Sequence, residues 1–239
     1  MSALDLTPYL GLFKLGWQSD PSQLPRPRGA DHLTIETAAW LAEINEQLTD
    51  LAAELEITLV LMGGNAAALR MDAASQRGSR DNDYLTDASE AEIDTLMAAF
   101  AERFAPLAPF FVPELYVPEG ARPLPLRTYH MNAPATYAHT FTDTHRLKIE
   151  FHVNIEELPP SETITSEHFA LPQPVQARVP LVPYQVALKL LTLTDPPVVS
   201  VSDATVCCHD RSTTSPVSCP RSTAMTRGPR SRRMHARST

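Results

Sequence analysis

The chain of 239 residues is 43% hydrophobic, enough apolar material for a sizeable core and too much for a disordered or fibrous protein. No stretch approaches the roughly 18 consecutive apolar residues a membrane helix needs, and residues 1–17 lack a basic start followed by a long apolar run, so the expectation is a cytoplasmic protein with no membrane contact. The net charge of −8 hides an asymmetry: from Pro196 onward there are seven arginines, no lysine and two aspartates, a charge of +5 that leaves −13 on the 195 residues before it. A body this acidic excludes general coating of nucleic acid, so any such contact would rest on a local basic patch.

Residues 1–35 contain several prolines and no sustained period, and read as an irregular N-terminal arm. Over residues 36–56, Trp40, Ile44, Leu48, Leu51 and Leu55 recur at steps of three to four and place one apolar stripe on a long helix. Residues 57–62 form a short apolar run with β-branched members, read as a buried strand that ends at Gly63-Gly64. Residues 65–72 then read as a short alanine-rich helix, and residues 80–86 as a second strand. A helix opens at Ser89, where Glu92 three residues on completes a capping box, and buries Ile93, Met97, Phe100 and Phe104.

Residues 110–171 read as strands separated by proline and glycine turns. The clearest is 146–154, in which Ile149, Phe151 and Val153 point one way while Lys148, Glu150, His152 and Asn154 point the other. Pro183 starts a helix carrying Val186, Leu190 and Leu193, with Lys189 on its flank.

Residues 196–239 are of another kind, with no Leu, Ile, Phe, Tyr, Trp, Glu or Lys, and they hold all three cysteines, Cys207, Cys208 and Cys219. Such a composition buries too little apolar surface to offset its ordering entropy, and no disulfide framework supports the body. Three readings compete: a zinc site that includes His209 and His235, whose adjacent cysteines lack the usual ligand spacing; an arginine-rich RNA-binding arm; and a segment never selected for folding, such as out-of-frame translation produces. The abrupt change of composition favours the last.

Residues 59–86 are the segment most informative about where chemistry could reside. A strand that ends in two glycines and feeds a helix exposes backbone N–H groups with no Cβ in the way, which suits a phosphate and is also an ordinary tight turn. Asp81 and Asp83 lie two apart on a predicted strand, so both carboxylates leave the same face and repel unless a cation lies between them. Oxygen-only donors of this kind suit Mg²⁺; a solvated aspartate pair is the alternative.

Gly63-Gly64-Asn65-Ala66, Leu69-Arg70 and Arg77-x-Ser79-x-Asp81-x-Asp83-Tyr84 together resemble the signature of the AbiEii/AbiGii-type nucleotidyltransferase toxins, members of the polymerase-β-like nucleotidyltransferase superfamily. The resemblance covers about residues 36–195. It implies an α+β fold, a polymerase-β-like mixed sheet flanked by helices, with a nucleotidyltransferase core at 36–182, the start of a C-terminal helical region at 183–195 and the tail at 196–239. It implies that Gly63, Gly64 and Asn65 cradle an NTP, with Arg77 and Ser79 beside them, that Asp81, Asp83 and Glu150 hold two Mg²⁺ ions, and that Lys189 approaches the triphosphate. The implied reaction is nucleotidyl transfer to the 3′ end of a tRNA, by a toxin restrained by an antitoxin protein. Two rivals are transfer to a small molecule such as an aminoglycoside, and a catalytically inactive remnant that only binds nucleotide or a partner.

Three features depart from the family pattern. Asn65 stands where the family often has Thr or Ser, Asn82 stands where the residue between the acids is usually apolar, and the tail replaces a helical segment that packs on the core, which leaves the apolar face of the 184–194 helix exposed. Arg70, Arg77 and Arg80 form the dense cationic cluster of the acidic body, suited to phosphates or to salt bridges.

Overall fold

A computed structural model of the chain describes residues 6–15, 32–117, 125–134 and 144–194. Residues 1–5 and 16–31 of the predicted arm, and the whole of 196–239 with its cysteines, lie outside the described residues.

The elements in order are α1 (His32–Glu54), β1 (Val60–Met62), α2 (Gly63–Ala68), β2 (Asp81–Leu85), α3 (Glu90–Arg103), β3 (Glu114–Tyr116), β4 (Leu126–Pro134), β5 (Thr144–His152), β6 (Ser161–Ser166), β7 (Val175–Pro180) and α4 (Val182–Thr194). The fold is α+β. Five strands form a mixed sheet in the order β1-β2-β5-β4-β3, while β6 and β7 make a separate antiparallel pair whose β7 lies against β1 and α1. All neighbours in the large sheet are antiparallel except β2 and β5. A parallel pair needs a long crossover, which here runs through α3, β3 and β4.

The apolar stripe of α1 is realised: Trp40, Ile44 and Leu48 are fully buried and Leu51 nearly so. The helix starts four residues before the predicted position, and Leu55 departs from the stripe. Helix α1 closes with bonds from Glu56 N–H to the Ala53 carbonyl and from Ile57 N–H to the Ala52 carbonyl, with Glu56 at φ 58°. That left-handed stop turns Leu55 outward, where it is exposed. Glu43, buried on α1, accepts from the backbone N–H groups of Lys14 (2.8 Å) and Leu15 (2.9 Å), so part of the predicted irregular arm, including a short 3-10 helix at Thr7–Leu12, is anchored to the core.

The capping box of α3 is present, with Ser89 and Glu92 exchanging bonds, and Ile93, Met97, Phe100 and Phe104 are buried. On β5 the alternation also holds, with Ile149, Phe151 and Val153 fully buried. Their face meets the aromatic core, where Tyr84 stacks on Phe151 with ring centres 5.3 Å apart and Trp40 meets Phe111 edge-on at 5.1 Å. Burial of this kind is the main stabilising term, and emptying one such aromatic site costs about 3–5 kcal/mol. On α4, Tyr184, Val186 and Leu190 are exposed.

Asn82, the polar residue between the two aspartates, points into this core and is satisfied there. Its amide donates to the Leu41 carbonyl on α1 (2.8 Å), and its own oxygen accepts from Asn65 (2.5 Å). Leu41 and Asn65 therefore explain why an apolar residue is not needed. Replacing Asn82 by Leu leaves the buried Leu41 carbonyl and the half-buried Asn65 amide each one partner short, and urea unfolding should show a loss of about 1–3 kcal/mol.

Candidate metal centre

Asp81 and Asp83 occupy alternate positions of β2 and so leave the sheet on one face, opposite the buried Asn82 and Tyr84. The parallel register sets Asp81 across from Lys148 and Asp83 across from Glu150. One carboxylate oxygen from each of Asp81, Asp83 and Glu150 lies within 4.8 Å of the other two. At an effective dielectric of about 20, two unit charges some 4 Å apart repel by about 4 kcal/mol, so three carboxylates at this spacing need compensation.

The chain supplies part of it. The Lys148 ammonium lies 2.8 Å from Glu150 Oε2 and 3.7 Å from Asp81 Oδ2. Thr128, on β4 across from Glu150, donates to Glu150 Oε1 (3.1 Å), and Ser79 donates to Asp81 Oδ1 (2.9 Å). Burial, then repulsion from Asp81 and Glu150, raises the Asp83 carboxyl from 3.8 to about 7. Burial works against the charge on Lys148, but its bond to Glu150 and the attraction of all three acids outweigh it and raise its pKa. His152, on the same face of β5, is lowered by burial against the pull of Glu150.

Gly63 explains its own presence. It sits at φ 71°, and a Cβ built there would lie 2.5 Å from Asp83 Oδ2. The bend after β1 is therefore a cradle for the carboxylate of Asp83. At Gly64 the corresponding contact is Ser79 Oγ at 3.2 Å. The Asn65 amide donates to the Asp81 carbonyl (2.9 Å) as well as to Asn82, which braces the strand from below. Three convergent carboxylates, all oxygen donors, beside a backbone with no Cβ fit a hard divalent cation such as Mg²⁺.

The other residues singled out from sequence stand as follows. Arg77 and Arg80 are exposed on the segment between α2 and β2. Arg70 is held by salt-bridge and hydrogen-bond partners: it reaches Glu162 (2.8 Å), the Pro180 carbonyl (2.6 Å) and Gln185 (3.0 Å), and so ties α2 to β6, β7 and α4. Lys189 is exposed on α4, one turn beyond Gln185, and the ion pairs of the carboxylates are made by Lys148 instead. Sequence reading missed Thr128. Its strand is not fixed in register by any local signal, since only the β4–β5 pairing brings it to Glu150.

No protein-family model and no curated protein matches the chain. Among solved structures it is similar to an antigenic nucleotidyltransferase-like protein from Paracoccidioides brasiliensis, at 14% identity and a TM-score of 0.43 over 71% of each chain.

Two outcomes follow from this geometry. Gly63→Ala adds a left-handed strain of about 1–3 kcal/mol and drives Asp83 aside, so Mn²⁺ affinity in calorimetric titration should fall at least about tenfold, whereas Gly11→Ala, with open space around it, leaves affinity unchanged. The folded chain holds a proton on Asp83 between pH 4 and 7 that the unfolded chain has released. The metal-free chain should therefore lose stability as pH rises through that window, in urea melts with EDTA, and Asp83→Asn should flatten the loss.

Proposed function

We propose that the chain is a Mg²⁺-dependent nucleotidyltransferase that passes a nucleotide from an NTP to an acceptor hydroxyl. The observation that carries this reading is the meeting of Asp81, Asp83 and Glu150 within 4.8 Å on one open sheet face. Asp81 and Asp83 would hold Mg²⁺ against the nucleotide, and Glu150 would complete the second site and take the proton of the attacking hydroxyl. Two such ions, when bound, lower the pKa of the acceptor hydroxyl and steady the departing pyrophosphate. Gly63, Gly64, Asn65, Arg77 and Ser79 would line the nucleotide side, and Lys189 would approach the triphosphate from α4. What these residues contribute is position: they keep the donor phosphate and the acceptor oxygen in line and next to the carboxylates.

The acceptor in this reading is the 3′ end of a tRNA, and the setting a toxin restrained by an antitoxin protein. Its support is the resemblance of residues 59–86 to the AbiEii/AbiGii-type signature together with the exposed Arg77 and Arg80 beside the carboxylates' strand. The catalytic core would span 36–182.

Incubation with each labelled NTP, Mg²⁺ and total tRNA tests the proposal, with an aminoglycoside mixture in a parallel tube. Label should pass to RNA, and Asp81→Asn/Asp83→Asn should reduce the rate at least about a thousandfold, a change of about 4 kcal/mol in barrier. Label on the drug instead overturns the tRNA acceptor. Absence of transfer to either overturns the enzyme.

A further inference from the structure

Lys148 stands apart from the other cations near the carboxylates by how it is placed. It lies across from Asp81 in the β2–β5 register and two residues before Glu150 on the same face of β5. Its ammonium reaches Glu150 Oε2 at 2.8 Å and Asp81 Oδ2 at 3.7 Å. The remaining oxygens of those two acids have other tenants: Thr128 holds Glu150 Oε1, and Ser79 holds Asp81 Oδ1. Both tenants are neutral hydroxyl donors that lock each carboxylate's rotation without consuming its charge. The ammonium therefore occupies the two oxygens that the hydroxyls leave available.

A divalent cation entering between the acids must compete for those same oxygens. Lys148 can yield them, because its side chain is 38% exposed and its flexible four-carbon stem can swing toward solvent. The carboxylates cannot follow it, because Thr128 and Ser79 restrain them. Arg146, the next cation along this face of β5, is engaged with the His130 ring at 2.9 Å, across from Lys148, and makes no ion pair with the carboxylates. That leaves Lys148 as the cation in direct contact with the centre among the described residues.

We propose that Lys148 is a resident counter-ion of the metal centre: it stabilises the cation-free carboxylates, is displaced by the incoming divalent ion, and then pairs with an anionic phosphate of the substrate. The first two steps concern the chain and the cation alone. The third rests on the nucleotidyl-transfer reading.

The test titrates the full chain with Mn²⁺ in the absence of nucleotide, by calorimetry. Lys148→Met keeps the length of the stem and removes the competing charge, so Mn²⁺ should bind about tenfold more tightly than to the wild type. In EDTA the same variant should melt at a lower temperature than the wild type, and Mn²⁺ should raise its melting point by more. Equal or weaker Mn²⁺ binding overturns the proposal. If the variant does not fold, the wild-type chain supplies the answer through ¹³C-dimethylated lysines in NMR. The resonance missing from Lys148→Arg should shift in step with Mg²⁺ saturation, and a resonance that stays in place overturns displacement.

For the third step, Lys148→Met should raise the KM for NTP severalfold in spite of its tighter metal, and an unchanged KM overturns the transfer to phosphate. The two readings fail separately. Tighter Mn²⁺ binding without any nucleotidyl transfer upholds the counter-ion and removes the enzyme. Transfer with unaltered Mn²⁺ affinity removes only the role of Lys148.

Discussion

Like-charge repulsion among three carboxylates governs this molecule's open face. Asp81 and Asp83 are forced together by the pleat of β2, and Glu150 joins them because β5 pairs with β2 in parallel at a register that sets Glu150 directly across from Asp83. Left alone, such a cluster would push its strands apart or bind protons. The chain answers with one ammonium, two hydroxyls and a raised affinity of Asp83 for its proton, and each answer comes from a different element: Lys148 from β5, Thr128 from β4, Ser79 from the segment before β2. The cluster is thus built at an energetic cost that favours the arrival of a cation.

The opposite side of the same strand shows how that cost is carried. Where an apolar residue would suffice for burial, Asn82 links β2 to α1 and α2 through Leu41 and Asn65, and the Tyr84 hydroxyl donates to Asn45, whose amide in turn donates to the Gln176 carbonyl on β7. Arg70 extends the bracing to β6, β7 and α4. A buried pair, Glu36 with His145 at 2.6 Å, pins the early turns of α1 to the start of β5. Polar groups buried in this manner stabilise little in net terms, yet they penalise every alternative register, because a shift of one residue would leave several of them unpaired. Register is what the carboxylate cluster depends on.

Much of this was readable from residue order. The capping box of α3, the alternation of β5 and the shared face of Asp81 and Asp83 are local facts, set by periods of 3.6 and 2 and by side chains that bond their own neighbours. The joining of Glu150 to the two aspartates was an expectation of the family resemblance, since the polar face of its strand, with Lys148, Glu150, His152 and Asn154, names no partner by itself. Other features were not readable. Leu55 matched the apolar period of α1 but falls just past its last residue, Glu54, and just before a left-handed stop at Glu56, a residue with no special claim to that conformation. On local grounds the glycine pair read either as a phosphate turn or as an ordinary tight turn, and tertiary contact adds a further reason for it, the approach of Asp83 to within 2.5 Å of the place where a Cβ would stand.

Sequence alone therefore determined which residues could act together along one element: two acids on one strand face, one acid on another, a lysine two positions before it. Only the tertiary structure decided which oxygens those groups turn toward one another and which neutral donors restrain the rest. The reason is physical. Periodicity fixes the direction of a side chain from its own backbone, whereas the distance between charges on separate strands depends on hydrogen-bond register, and register is set by contacts far apart in the chain.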